Sequence, residues 1–409
     1  MKYTIINLGC KVNRVESDTI AAQLEDRGAI TDDRYPDVVV INTCTVTGEA
    51  EKKTRKTVRR ALRDFMGARS VVVTGCAAAL DPDEFLSMDE RVVVCGKNQV
   101  ADTCFEAIHE VPLTAEQAHR HLRFGGDFPT RVGLKIQDGC SAACTFCIVH
   151  VARGQALSRP LPDVLREAHE LYDAGVREVV LTGINLGTYR SNDANLAKVA
   201  QQLIDEMPKL RVRISSIEPL HATDELIEVL SRQKGRVCRH LHLPLQSGSS
   251  KVLREMARPY SAEQFLSIVE HIRATVPEVS LSTDIIVGFP GETDQDFQAT
   301  LDMARACRFS KVHVFRYSKR AGTPAAARAD QVDSLVSANR SYILSELVRE
   351  VRWQEAARRI GTSEDVLVES HGLGMSESYY PVAVDPAIPR GSLVRMHLKS
   401  FDSHGTFQV

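Results

Sequence analysis

Apolar positions in the first hundred residues fall into short runs separated by stretches with helical spacing. Tyr3–Leu8, Val38–Ile41, Val71–Thr74 and Val92–Val94 read as buried strands. Ser17–Arg27, Glu49–Phe65 and Asn98–His109 read as helices between and after them. Regular alternation of this kind predicts a parallel sheet covered by helices. Residues 110–130 read as a connector broken by Pro112, Gly125-Gly126 and Pro129. A second series opens near Arg131, with strands at Val132–Ile136, Glu178–Leu181, Val212–Ser215, Leu241–Leu243, Ser280–Val287 and Lys311–Phe315. Helices are expected between them at Leu161–Ala174, Leu196–Met207, Asp224–Gln233, Lys251–Val276 (as a pair) and Asp294–Cys307. Six units of about 30 residues, all curling the same way, predict a complete or partial barrel. Val332–Arg359 predicts one long helix that Gly361 stops. Beyond it, Val366–Val368, Tyr379–Val384 and Leu393–Leu398 are short runs between Gly, Pro and Asp. The expected fold class is α/β. An amino-terminal parallel α/β domain spans 1–125, a central partial (β/α) barrel with its linker helix 126–360, and a small all-β barrel 361–409.

Charge adds mainly exclusions. Fifty-one Lys and Arg balance fifty-three Asp and Glu, leaving a formal charge of −2. That argues against a histone-like polycation, while a local basic face stays open. No run approaches the roughly 18 apolar residues that cross a bilayer, and Met1–Ile5 leads into a strand pattern without the plan of an export signal. A cytoplasmic protein is expected, with no membrane partner. Ten cysteines in such a chain point to metal binding or catalysis and not to disulfides.

Their spacing sharpens this. Cys140-Ser-Ala-Ala-Cys144-Thr-Phe-Cys147 places three thiols within eight residues, on the loop leaving the first barrel strand. The carboxyl ends of barrel strands are where active sites lie. Three ligands are one fewer than the four that close a structural zinc or an ordinary iron–sulfur site, so one coordination position stays open for chemistry. A zinc site completed by His150 is the alternative. Phe146 is a core residue or a wall of a cofactor pocket. A second trio is dispersed: Cys10, Cys44 and Cys76 each follow a predicted parallel strand, 34 and 32 residues apart. Strand ends of an open α/β sheet line one crevice, so these thiols are expected to meet. Three unrelated buried thiols are the other reading, and Cys95 is a fourth ligand or core.

These motifs together resemble the methylthiotransferase group of radical S-adenosylmethionine enzymes, over essentially the whole chain. Gly9-Cys10-Lys11-Val12-Asn13, Asn42-Thr43-Cys44-Thr45-Val46-Thr47 and Thr74-Gly75-Cys76-Ala77 are similar to the group's amino-terminal domain. The C-x3-C-x2-C run resembles the radical signature, and Gly372–Val384 a TRAM-like RNA-binding β-barrel. Within the group, the first two motifs resemble the branch acting on tRNA bearing N6-threonylcarbamoyladenosine. Where the family commonly has Pro-Tyr-Ala-Arg-Gly, this chain has His150-Val151-Ala152-Arg153-Gly154. The aromatic is absent there.

The resemblance implies two 4Fe–4S clusters and S-adenosyl-L-methionine as cofactors, and tRNA and a reducing electron donor as partners, with no DNA. Cys140, Cys144 and Cys147 would hold the catalytic cluster, whose fourth iron chelates S-adenosylmethionine. Its reductive cleavage would give a radical that abstracts hydrogen from C2 of adenosine 37. Cys10, Cys44 and Cys76 would hold an auxiliary cluster carrying the sulfur to be inserted. Further cofactor contacts are expected at the barrel strand ends, from Gly183, Asn185, Ser216, Glu218, Gln246 and Asp284. Helix caps and Gly-Pro turns account for such segments equally well one by one, and Thr293 reads as a cap. Candidate RNA contacts are Lys52, Lys56 and Arg59 on one helical stripe, with Arg153, Arg258, Arg316 and Arg395 elsewhere. A solvated charged face is the plainer reading of the stripe.

Overall fold

The computed structural model describes residues 1–45, 47–109, 130–233 and 235–409. They fall into two compact units. The first takes in Met1–Arg123, Gly139–Ala142 and Cys147–Gln155, the second Phe124–Asp138, Ala143–Phe146 and Ala156–Val409. The cysteine loop is thus shared, with Cys140 and Cys147 counted in the first unit and Cys144 in the second.

The first unit runs β1 (Lys2–Asn7), α1 (Lys11–Glu25), β2 (Ile30–Thr31), β3 (Val38–Thr43), α2 (Gly48–Asp64), β4 (Ser70–Gly75), α3 (Cys76–Leu80), α4 (Pro82–Leu86), β5 (Val92–Val94) and α5 (Val100–Ala107). The sheet is parallel throughout, in the order β2-β1-β3-β4-β5. β3 is buried at every position, as a central parallel strand with helices on both faces must be. Its odd-numbered residues Val39 and Ile41 pack with Val58 and Leu62 of α2, while Val38 and Val40 pack with Ile20 and Leu24 of α1. α1 begins six residues before the expected Ser17. Its first turns bury Asn13, Glu16 and Ser17, polar residues that hide the helical stripe from an apolar-periodicity reading. Most of the expected connector, residues 110–129, lies outside the described residues.

In the second unit the expected barrel strands appear as β6 (Arg131–Lys135), then, after a short hairpin pair β7 (Gln137–Asp138) and β8 (Leu157–Ser158), as β9 (Glu178–Thr182), β10 (Arg211–Ile214), β11 (His240–His242), β12 (Ser280–Val287) and β13 (Lys311–Arg316). Between β7 and β8 lies a one-turn helix, α6 (Val149–Arg153), which is part of the first unit. The barrel helices are α7 (Leu161–Asp173), α8 (Leu196–Glu206), α9 (Asp224–Arg232), α10 (Ser250–Glu255), α11 (Ala262–Thr275) and α12 (Asp294–Cys307). Two three-stranded sheets, β10-β9-β6 and β11-β12-β13, are joined by parallel bridges at Val212–Val237 and Ser216–His242. The result is a six-stranded parallel partial barrel. Thr293 caps α12 in a capping box with Asp296, a local signal that fixes the helix start.

Along each barrel strand one set of alternate residues, such as Val179, Leu181, Val212, Ile214, Leu281 and Ile285, joins the helix-side core. The other set is mostly polar, and at the starts of β9, β10, β11 and β12 it is buried, as Glu178, Arg211, His240 and Ser280. Arg211 and Arg213 each donate to Glu178 at 2.6 Å. Burial works to raise the Glu178 carboxyl, but the two guanidiniums outweigh it and hold it at about 2.

The long helix α13 (Ser334–Ala357) leads to β14 (Ser363–Ser370), β15 (Leu373–Ser376), β16 (Pro381–Ala383), β17 (Leu393–His397), β18 (Ser400–Phe401) and β19 (Phe407–Gln408). These form one six-stranded sheet, β17-β14-β15-β16-β19-β18, curled into a half-barrel around Val366, Tyr380, Val382, Leu398 and Phe407. The module meets the buried arginines of the barrel. Arg211 donates to the Asp365 carbonyl at 2.7 Å, and Arg213 to the Ser376 carbonyl at 3.0 Å. Arg239 binds the Glu377 carboxylate with two nitrogens at 3.1 Å each. The Tyr379 ring stacks on His240 at 4.7 Å, with the Arg213 guanidinium 4.9 Å from its centre.

Candidate active site

Cys10 caps the start of α1, Cys44 follows β3, and Cys76 opens α3 directly after β4. The three strands are neighbours in the sheet, so their carboxyl ends lie side by side. A Cβ built on Gly9 would come 3.0 Å from the Cys44 Cβ, which sets the Gly9-Cys10 turn against Cys44. The Cys10 thiol donates to Asn13 Oδ1 at 3.3 Å, and Asn13 Nδ2 donates to the Thr43 carbonyl at 2.8 Å and to Asn42 Oδ1 at 3.0 Å. Asn13 therefore ties the Cys10 turn to the residues leading into Cys44. Burial pushes the Cys76 thiol up, the Arg153 guanidinium pulls it back, and Cys10 and Cys44 are near enough to add to the rise.

A cavity of about 400 Å³ opens beside Cys76, lined among others by Glu16, Cys95, Lys97 and Arg153.

Gly75 sits at φ +92°, and a Cβ there would lie 2.5 Å from both Asn42 Oδ1 and the Thr43 carbonyl. Gly75→Ala is expected to cost about 1–3 kcal/mol and to lower the iron retained after reconstitution. A denaturation midpoint and an iron assay on the same preparation check both.

The 140–147 loop is anchored on each side. Ala142 N–H donates to Cys140 Sγ and Val149 N–H to Cys147 Sγ, both at 3.4 Å. Between them Thr145 N–H donates to the Met256 carbonyl at 3.1 Å, and Thr145 accepts from Ala325 N–H at 2.9 Å. Phe146 packs against Val252, Met256, Phe289 and Ala325.

Arg258 ties this loop to the strand ends. Its Nη1 donates to Cys144 Sγ at 3.2 Å, its Nη2 pairs with Glu218, and Nε donates to Tyr260 at 3.0 Å. Burial raises the Glu218 carboxyl and Arg258 lowers it. Asn185 N–H donates to Gln137 Oε1 at 2.8 Å, and Gly183 packs against the same Gln137 side chain. Ser216 bridges to His242, and Gln246, at φ +72°, bridges to Ile285. Asp284 lies 3.2 Å from His242 Nε2. Among the described residues, His242, Asp284 and His313 are the group of three whose ligand atoms all fall within 4.8 Å. Gln137, Tyr260 and the two histidines were not singled out from sequence, and Asn13 and Glu16 stood there only within the amino-terminal motif, with no role of their own. Asn13 lies three residues past Cys10 and Glu16 three past Asn13, a spacing that makes each the helical neighbour of the one before, which was the available signal.

The expected RNA residues divide. Lys52, Lys56, Arg59 and Arg316 are exposed. Arg395 is exposed and paired with Asp365 at 3.3 Å. Arg153 and Arg258 have side chains only 4% exposed. Each is hydrogen-bonded to a cysteine sulfur, which is no surface for a phosphate.

A parallel half-barrel with a Cys-x3-Cys-x2-Cys loop leaving its first strand defines the radical S-adenosylmethionine class, and residues 134–304 match the model of the Radical SAM superfamily. Residues 2–96 match that of the Uncharacterized protein family UPF0004. The threonylcarbamoyladenosine tRNA methylthiotransferase MtaB of Bacillus subtilis is 40% identical, covering 83% of this chain and 78% of that protein. The protein of the same name from Chlamydia pneumoniae is 36% identical over 98% of this chain and 96% of its own. The tRNA-2-methylthio-N(6)-dimethylallyladenosine synthase of Salinispora arenicola is 38% identical over 90% and 76%. In fold, the chain is similar to the radical S-adenosylmethionine methyltransferase TsrM of Kitasatospora setae, with a TM-score of 0.59 at 15% identity, covering 99% of this chain and 86% of that one. The chain belongs to the radical S-adenosylmethionine methylthiotransferases. No helix among the described residues is long and apolar enough to cross a membrane.

Proposed function

We propose that this enzyme inserts a methylthio group at C2 of N6-threonylcarbamoyladenosine 37 in tRNA, in the cytoplasm, drawing electrons from a reducing donor. The reading rests on the convergence of Cys10, Cys44 and Cys76 at three adjacent strand ends, in a chain that also carries the Cys140–Cys147 loop. A methylthiotransferase needs both sets, one for generating a radical and one for holding the sulfur. The donor sets fit: each trio is all thiol, and Cys140, Cys147, Cys144 and Cys76 each accept a hydrogen bond from an amide or a guanidinium. Iron–sulfur sites are tuned by such bonds.

When bound, two 4Fe–4S clusters and S-adenosylmethionine supply the radical and the methylthio group. The protein's own groups do the rest. Asn13 fixes the Cys10 turn. Arg258 steadies Cys144 and orients Glu218 toward the strand-end segment that also holds Gly183, Asn185, Ser216 and Gln246, a polar rim suited to the amino, carboxylate and ribose groups of the cofactor. His242, Asp284 and His313 offer donors and an acceptor in the barrel interior for a modified adenine. Lys52, Lys56, Arg59 and Arg316, with the module at 361–409, are the surfaces we assign to tRNA phosphates. We retain the division at 1–125, 126–360 and 361–409 as the functional one.

The test is mass analysis of nucleosides from tRNA treated with reconstituted enzyme, dithionite and S-adenosylmethionine. The expected product is 2-methylthio-N6-threonylcarbamoyladenosine. The similarity to the dimethylallyladenosine synthase supplies the competing outcome. A methylthio group on that nucleoside, with threonylcarbamoyladenosine untouched, would move the enzyme to the other branch.

A further inference from the structure

We infer that Arg153 is a positioning residue for the Cys10–Cys44–Cys76 site, holding the Cys76 sulfur from the same short helix that carries a bond to Cys147. The inference rests on the reading of that trio as a cluster site.

The guanidinium donates four hydrogen bonds around the trio. Nε donates to Cys76 Sγ at 3.0 Å. Nη1 and Nη2 donate to the two Glu16 oxygens at 2.9 and 3.0 Å, and Nη2 donates also to Asn13 Oδ1 at 3.1 Å. Asn13 in turn accepts from Cys10, so one guanidinium is bonded to one cysteine of the trio and to the partner of another. Glu16 is 8% exposed, and its carboxylate fixes the plane of the fork. A forked, permanently charged group can serve all three partners at once, whereas an ammonium cannot.

Position in the chain gives the contact its meaning. Arg153 is the last residue of α6, and the Val149 amide at the other end of that helix donates to Cys147 Sγ. Five residues therefore touch a sulfur of each trio, and all of these atoms lie in the first unit. A cationic N–H on a ligand sulfur withdraws electron density and favours the reduced form of an iron–sulfur centre. Arg153 should therefore raise the reduction potential of the site at Cys76 and leave that of the Cys140–Cys147 site unchanged.

The experiment uses the full chain in two backgrounds. One carries Cys140→Ala, Cys144→Ala and Cys147→Ala, and the other carries Cys10→Ala, Cys44→Ala and Cys76→Ala. Each is reconstituted with iron and sulfide and titrated redox-wise under electron paramagnetic resonance. In the first background, Arg153→Met, which leaves Glu16 facing Lys97 Nζ at 3.7 Å, is expected to shift the midpoint to more negative potential. Arg153→Lys should shift it less. In the second background neither should move it. An unmoved midpoint in the first background overturns the inference, and so does an equal shift in both, which marks a general structural disturbance. If the first background binds no iron with Arg153 intact, the ligand reading itself fails and the inference goes with it.

Discussion

Glu178→Gln is expected to destabilise the second unit by about 3–5 kcal/mol, the usual cost of removing one partner from a buried ion group. The side chains of Glu178 and Arg211 have no exposed surface, and that of Arg213 is 1% exposed. The variant leaves two buried guanidiniums with an amide where their shared counter-charge stood. Neighbouring carbonyls of Asp365, Ser376 and Glu377 accept hydrogen bonds but carry no net charge. A fall in melting temperature on the order of 10 °C follows. The pH dependence has a definite sign. The folded-state value of Glu178, about 2, lies below its ordinary 4.5. Its contribution is complete above the ordinary value and is lost as pH falls from there toward 2. Part of the parent's acid sensitivity in that window should be missing from the variant. A variant melting within about 2 °C of the parent would show that the network does not hold the barrel and the carboxy-terminal module together.

Cys10→Ala and Cys144→Ala are expected to fail in different ways. Cys144 sits on the loop that meets Arg258 and Glu218, so its loss should abolish production of 5′-deoxyadenosine and, with it, any modified tRNA. Cys10 lies at the start of α1, bonded to Asn13. Its loss should leave cofactor cleavage within about threefold of the parent while methylthio insertion falls by about 100-fold or more, in line with the several kcal/mol that removing a group essential to a chemical step costs. Quantifying 5′-deoxyadenosine and modified nucleoside in the same reaction separates the two. Equal loss of cleavage in both variants would dissolve the proposed division of labour between the trios.

Much of this was legible one segment at a time. β5 and α12 fall on the residues read from sequence, because Val92–Val94 is an unbroken apolar run and the Thr293–Asp296 box is a local stop-and-start signal. α1 was misread at its start because three of the five residues it buries there, Asn13, Glu16 and Ser17, are polar and interrupt the apolar stripe. β15 was missed because the positions it buries are Gly374 and Ser376, while its apolar Leu373 is exposed. It pairs with β14 and β16 on both sides, and that pairing defines it.

The sequence by itself determined the order of the main strands and helices, the two sets of three cysteines, and the placement of Cys10, Cys44 and Cys76 after strands and of the other three on one loop. These follow from periodicity and spacing, which neighbouring residues set. Only the tertiary structure decided what the arginines do. Arg153 meets a sulfur 77 residues away and Arg258 one 114 residues away, while Arg211 and Arg213 turn inward to a single carboxylate. As letters in a chain, these look like any surface cation. Their partners are chosen by topology and by the cost of burying a charge without an opposite one, and no local pattern records that choice.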